Sequence, residues 1–192
     1  MNRSAPANPL RLLLALAFLA LLCCSFALPA SAANADARAA ETARLVNGER
    51  ARAGLPPLEL DLTLCELAQR RAVEESASKA LAHQRPDGRP WYTILDERGI
   101  SCRPRTENLA YGQKTPREAV RDWMASPSHR AAILGGYTKI GVGVCERGGV
   151  IYWSQLFVNH DGSAIPNAGG NALSRFRFGM VDAWHKVTRP FG

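Results

Sequence analysis

Twenty residues, KIGVGVCERGGVIYWSQLFV (Lys139 to Val158), constrain the fold more than any other stretch of this chain. Apolar and small residues alternate on both sides of Glu146-Arg147-Gly148-Gly149. A side-chain period of two is that of a strand, and a glycine pair between two such runs is a hairpin signal. Upstream the period is helical. Leu64, Leu67, Ala68 and Ala72 form a stripe that can bury against a sheet. Helices first and an antiparallel hairpin late predict an α+β fold.

Punctuation places the helices. AAETARLVNGERARAG reads as a helix that stops at Gly54, with Pro56 and Pro57 beyond it. A second helix is capped by Asp61, or by Thr63 with Glu66 as a capping box, and runs to Leu81 or Ala82. That boundary puts His83 at its exit, ahead of the turn Arg85-Pro86-Asp87-Gly88. A short helix is expected from Trp91 to Arg98, and TENLAYG (Thr106 to Gly112) reads as extended. Thr115-Pro116-Arg117-Glu118 combines cap, N-terminal Pro and capping-box Glu, and its helix carries Ala119, Val120, Trp123 and Met124. Ser126-Pro127 then opens a brief helix holding His129.

The first 32 residues read separately. Arg3 and Arg11 flank the start of an apolar run, Leu12 to Leu22, and Ala30-Ser31-Ala32 closes it, the pattern of a secretory signal peptide. The run is shorter than the ~20 apolar residues of a spanning helix. The division is therefore 1–32 leader, 40–158 domain, and 159–192 a Gly/Asn-rich linker and extension of unassigned role. Losing Arg3 and Arg11 takes the formal net charge from +7 to +5. The basic residues are spread along the chain, which argues against a nucleic-acid groove. Export makes Cys65, Cys102 and Cys145 candidates for one disulfide and one free thiol. Three pairings are open; Cys102–Cys145 is the one expected, since both lie outside the helix that carries Cys65.

Three polar residues stand out: His83, Glu107 beside Asn108 in an otherwise apolar stretch, and His129. Each alone reads as ordinary surface or structure. Their setting reads differently, because LVNGERARAGLPPLELD, LAHQRPDG, TENLAYG, WMASPSHRAAIL and IGVGV…YWSQLF follow in that order. Together they resemble the bacterial branch of the CAP superfamily, the SCP domains of cysteine-rich secretory proteins, antigen 5 and pathogenesis-related proteins. The resemblance covers about Ala40 to Val158 and implies a three-layer α-β-α sandwich with a small, mainly antiparallel sheet and an open cleft. It implies a cleft lined by His83, Glu107, Asn108 and His129. The family's second acid does not transfer: Trp123 is followed by Met124 and Ala125. Thr106 and Ser128 stand where glycines are usual.

Two imidazoles and a carboxylate are first-row metal ligands, so the expectation is weak Zn²⁺ binding at His83 and His129, with Glu107 as ligand or orienter. A metal-free hydrogen-bonded network is the competing reading. For function, the resemblance implies an exported, secreted or envelope protein that binds a small apolar or envelope-derived ligand or a protein partner. The alternative is a metal-assisted, peptidase-like hydrolase with Glu107 as general base. Against it, no H-E-x-x-H or G-x-S-x-G segment is present. Whether the chain is an enzyme stays open on sequence alone.

Overall fold

The computed structural model describes residues 30–79 and 81–159. The expected leader and extension lie outside them, apart from residues 30–32 and Asn159. The described residues from Asn34 to Asn159 belong to one compact unit. Its elements are α1 (Ala30–Arg52), β1 (Glu59–Leu60), α2 (Leu62–Ser78), α3 (Thr93–Asp96), β2 (Arg105–Tyr111), α4 (Pro116–Ala125), α5 (Pro127–Ile133), β3 (Lys139–Arg147) and β4 (Val150–Val158).

The four strands lie in the order β1-β3-β4-β2. β3 and β4 form the expected hairpin, with positive φ at Gly148 (59°) and Gly149 (77°), and β2 pairs antiparallel with β4. The pair β1–β3 is parallel and two residues long. This is the mainly antiparallel α+β sandwich expected from the sequence.

Alternation divides the sheet into two faces. Ile140, Val142, Val144, Trp153 and Phe157 point to one side, where they pack with Ala43 and Val46 of α1, Val120 and Trp123 of α4, and Ile133 of α5. Leu156 and Val158 point to the other, under Leu64, Leu67 and Ala68 of α2 and Ile94 and Leu95 of α3. On β3 this second face is glycine. A Cβ on Gly141 would overlap the backbone of Leu64, and one on Gly143 the backbone of Ala68 and Gln69. The two glycines therefore let α2 lie directly on the strand. Just beyond them α2 also covers the outer edge of β3: Val142 N–H reaches Cys65 Sγ (3.5 Å) and Val144 N–H donates to Gln69 Oε1 (2.9 Å).

Local signals set most boundaries. Asp61 caps α2 by accepting Leu64 N–H at 3.0 Å, so of the two candidates the aspartate is the cap and Thr63 is buried as the second residue of the helix. Thr115 caps α4, accepting Glu118 N–H at 3.2 Å. Arg50, almost fully buried, donates to the carbonyls of Pro56, Ile133 and Gly135 at 2.8–2.9 Å and so ties α1 to the end of α5.

Three boundaries differ from expectation, the first being the start of α1, which lies at Ala30 rather than at Ala39. α2 ends at Ser78, not at Leu81 or Ala82, because Lys79 adopts a left-handed backbone (φ 54°) that the helix cannot continue through. The helix expected over Trp91 to Arg98 is regular only for Thr93–Asp96, with hydrogen-bonded turns on both sides.

The expected Cys102–Cys145 bridge is not formed; Cys65, Cys102 and Cys145 are all free. Register explains it. Cys102 precedes Arg105, which pairs with Val158 and so lies at the Lys139 end of the sheet, whereas Cys145 lies opposite Tyr152. Six residues of strand separate those levels, about 20 Å, far beyond the ~7 Å Cα separation a disulfide spans.

The close approach of α2 gives a direct test. Gly143→Ala is expected to lose about 2–3 kcal/mol of stability, because a backbone rather than a flexible side chain occupies the space. Urea denaturation followed by circular dichroism measures it; an unchanged midpoint would contradict the packing described.

Candidate functional site

The site is built at the outer strand of the sheet, β2, where consecutive side chains leave on opposite faces. Glu107 points toward α2. Its side chain is fully buried, with Oε1 accepting Arg71 Nε at 2.8 Å and Oε2 lying 3.0 Å from His83 Nδ1. Asn108 points the other way, and its Nδ2 donates to the backbone carbonyl of His129 (3.1 Å) and to Gln155 Oε1 (3.3 Å). His83 thus comes to β2 from the α2 side and His129 from the α5 side.

The residues expected in one cleft are brought together unequally. His83 and Glu107 are in direct contact. His129 is near enough for the charge on His83 to act on it. Asn108 is buried and holds the α5 backbone against β4. The place of the family's second acid is filled by Met124, which packs partly buried against the core. Before it Trp123 donates its indole N–H to Leu109 O at 3.0 Å, capping a carbonyl of the outer strand.

The partners fix the chemistry of each imidazole. A carboxylate held by Arg71 only accepts, so Nδ1 of His83 carries the proton and donates. Nε2 of the neutral ring is then the free acceptor, on a side chain 61 % exposed. The hydrogen bond to Glu107 raises the His83 pKa above its usual 6.5, with burial opposing. Burial, and next the charge on His83, push His129 below the same value.

Arg71 is the residue that the sequence reading missed. It is fully buried and makes ion pairs to Glu107 (2.8 Å), Glu75 (2.7 Å) and Glu74 (2.7 Å). A signal was present: Arg71 and Glu75 continue the stripe of Leu64, Leu67 and Ala68, so a cation and an acid stand at helical spacing on the core-facing side. Glu74 passes the network on to Arg85 (2.8 Å), and Arg85 to Glu97 (2.6 Å). Arg85 and Arg89 hold the Glu97 carboxyl down to about 2.

Among the described residues no group of three or more His, Cys, Asp or Glu side chains is placed to hold a metal ion. With one oxygen on Arg71 and the other on His83, Glu107 fits as the orienter behind an imidazole rather than as a ligand.

The sequence profile of the cysteine-rich secretory protein family, CAP, matches residues 43–157. The chain belongs to this family. Among curated relatives, the uncharacterized protein YkwD of Bacillus subtilis is 39 % identical over 115 residues, 59 % of this chain and 44 % of its own length. The uncharacterized membrane protein YlbC of the same bacterium is 30 % identical over 115 residues, 59 % of this chain and 32 % of its own. This chain spans less than half the length of either. Among solved structures, an extracellular SCP-domain protein from Bacillus anthracis aligns with TM-score 0.61 and 22 % identity over 66 % of this chain and 41 % of that one. An outer surface protein from Borrelia burgdorferi aligns with TM-score 0.58 and 23 % identity over 62 % of this chain and 90 % of that one. At these identities the likeness is one of fold, and it is the CAP sandwich.

Within this CAP domain the two histidines are expected to titrate on opposite sides of 6.5, His83 above and His129 below. The signs for stability are opposite too. The His83 contribution is full below 6.5 and is lost as pH rises through its raised value. The His129 contribution is full above 6.5 and is lost as pH falls toward its lowered value. Together they favour the fold most near 6.5. Histidine ring proton titration by NMR should resolve the two midpoints, and Glu107→Gln should lower that of His83; coincident midpoints, or the reverse order, would contradict this electrostatic picture.

Proposed function

We propose that the chain is an exported CAP domain whose His83/His129 cleft binds a small apolar or envelope-derived ligand, or a partner protein. One observation carries the reading: His83 turns a solvent-facing ring outward while its inner nitrogen is tied to a fully buried carboxylate. A side chain fixed from behind and open in front is arranged for contact with something outside the chain. Apolar surface stands in the same region of sequence. Leu81, two residues before His83, and Tyr111, at the end of the Glu107 strand, are exposed, and Tyr111 stacks on Tyr152.

The hydrolase alternative asks for a nucleophile or a metal-activated water. Burial pushes the Cys65 thiol up to about 12, so it is not a thiolate at neutral pH. Ser126 and Ser128, beside His129 in sequence, bond each other at 3.3 Å. Binding is therefore the better-supported reading. Where a divalent cation such as Zn²⁺ takes part, His83 and His129 supply the donors and Glu107 orients the first ring; the ion would add a Lewis-acidic contact for the ligand. Export is supported by the leader pattern of residues 1–32 and by the extracellular and outer-surface descriptions of the two solved structures.

Native mass spectrometry of the protein purified without chelator is the test. The expected result is an adduct, organic or metal, on the wild type that is missing from His83→Ala/His129→Ala. The bare chain mass for both would overturn the proposal.

A further inference from the structure

The His83 ring is oriented by Glu107, but the backbone that delivers it is held by different residues. After Lys79 turns the chain out of α2, the segment folds back along the helix it has just left. There Ala82, the residue before His83, has both of its backbone polar groups bound by side chains of α2. Its N–H donates to Glu75 Oε2 at 2.9 Å, and its carbonyl accepts Arg71 Nη2 at 2.7 Å. The same two side chains are paired, Arg71 Nη2 to Glu75 Oε1 at 2.7 Å. A buried ion pair thus serves residue 82 as a neighbouring strand would.

We infer that Arg71 and Glu75 are positioning residues for the cleft: together they clamp Ala82 and so fix where His83 stands against Glu107. The inference rests on the reading of His83 as a cleft residue. Neither Glu75 nor Ala82 hydrogen bonds to the imidazole; both act through the backbone.

Donor and acceptor counts make the clamp specific. Arg71 serves four groups on two sides: Nε goes to Glu107, Nη1 to Glu74, and Nη2 to both Glu75 and the Ala82 carbonyl. A lysine keeps the charge but offers three donors from one nitrogen, so it cannot span both sides. Glu75 uses its two oxygens only as acceptors, one for Arg71 and one for Ala82 N–H. A glutamine has a single carbonyl oxygen, and its NH₂ would face a donor whichever way it turned. Charge-conserving and near-isosteric changes should therefore both release the turn. Arg85 extends the grip to the next part of the loop, where its buried side chain lies between Glu74 of α2 and Glu97 beyond α3.

Amide hydrogen exchange on the full chain, read by NMR with the downfield Nδ1 proton of His83, tests the clamp without any ligand. In the wild type, Ala82 N–H should be protected while Leu81, exposed beside it, exchanges freely. Arg71→Lys and Glu75→Gln should each speed exchange at Ala82 by roughly tenfold or more and broaden or abolish the His83 Nδ1 proton signal. The core amides of β4 should stay protected in both variants, which separates local release from general unfolding. An unprotected wild-type Ala82 would overturn the inference even if neither variant folds. So would variants that fold with Ala82 protection and the His83 signal unchanged. A bare wild-type chain mass in the mass-spectrometric experiment, with an intact clamp, would count against the function proposed and leave the clamp standing.

Discussion

The structure depends on one unusual placement, the guanidinium of Arg71 in the layer between α2 and the sheet, with none of its side chain in contact with solvent. Removing such a charge from water costs several kcal/mol unless its donors are all met. They are met by groups from three places: Glu74 and Glu75 on its own helix, Glu107 on the outer strand, and the carbonyl of Ala82 in the turn beyond. The contacts to Glu107 and to the Ala82 carbonyl are lost if helix, strand or turn moves alone. The cation therefore fixes the relative positions of the elements that carry Glu107 and His83.

For Arg71 to reach Glu107, α2 has to lie close to the sheet. The glycines of β3 allow this, since Leu64 sits over Gly141 and Ala68 over Gly143. α2 follows β3 as far as Ser76 beside Cys145, and the long Arg71 side chain spans from it to Glu107 on β2. The approach that buries Leu64, Leu67 and Ala68 against Leu156 and Val158 is thus also what presents Arg71 to the carboxylate. Apolar packing brings the elements together; the ionic cluster decides their register and leaves His83 held from behind. On the opposite face Asn108 does a corresponding task with neutral groups, joining the backbone of His129 to Gln155.

Much of this was legible in the sequence. The hairpin announced itself by alternation around Gly148-Gly149, and the helix starts at Asp61 and Thr115 followed from capping chemistry that depends on a few adjacent residues. The pair His83–Glu107 was accessible only through the family resemblance, because nothing local links residues 24 positions apart. What stayed hidden was decided by tertiary contact. The early end of α2 rests on a lysine in a left-handed conformation, which propensity disfavours and the turn at Ala82 compensates. The expected disulfide failed because pairing depends on register, and cysteine spacing carries none. Arg71 drew no notice, although its position on the apolar stripe marked it as buried.

The central claim is that Arg71 and Glu107 form one interdependent unit that ties helix to strand, and a double-mutant cycle measures that most directly. Arg71→Met and Glu107→Leu, singly and together, would be compared by urea denaturation. Each single change should cost about 3–5 kcal/mol, because it leaves a buried charge without its partner. The double variant should recover about 2 kcal/mol or more relative to their sum. Strict additivity would contradict the account and reduce the two residues to separate tenants of the same layer.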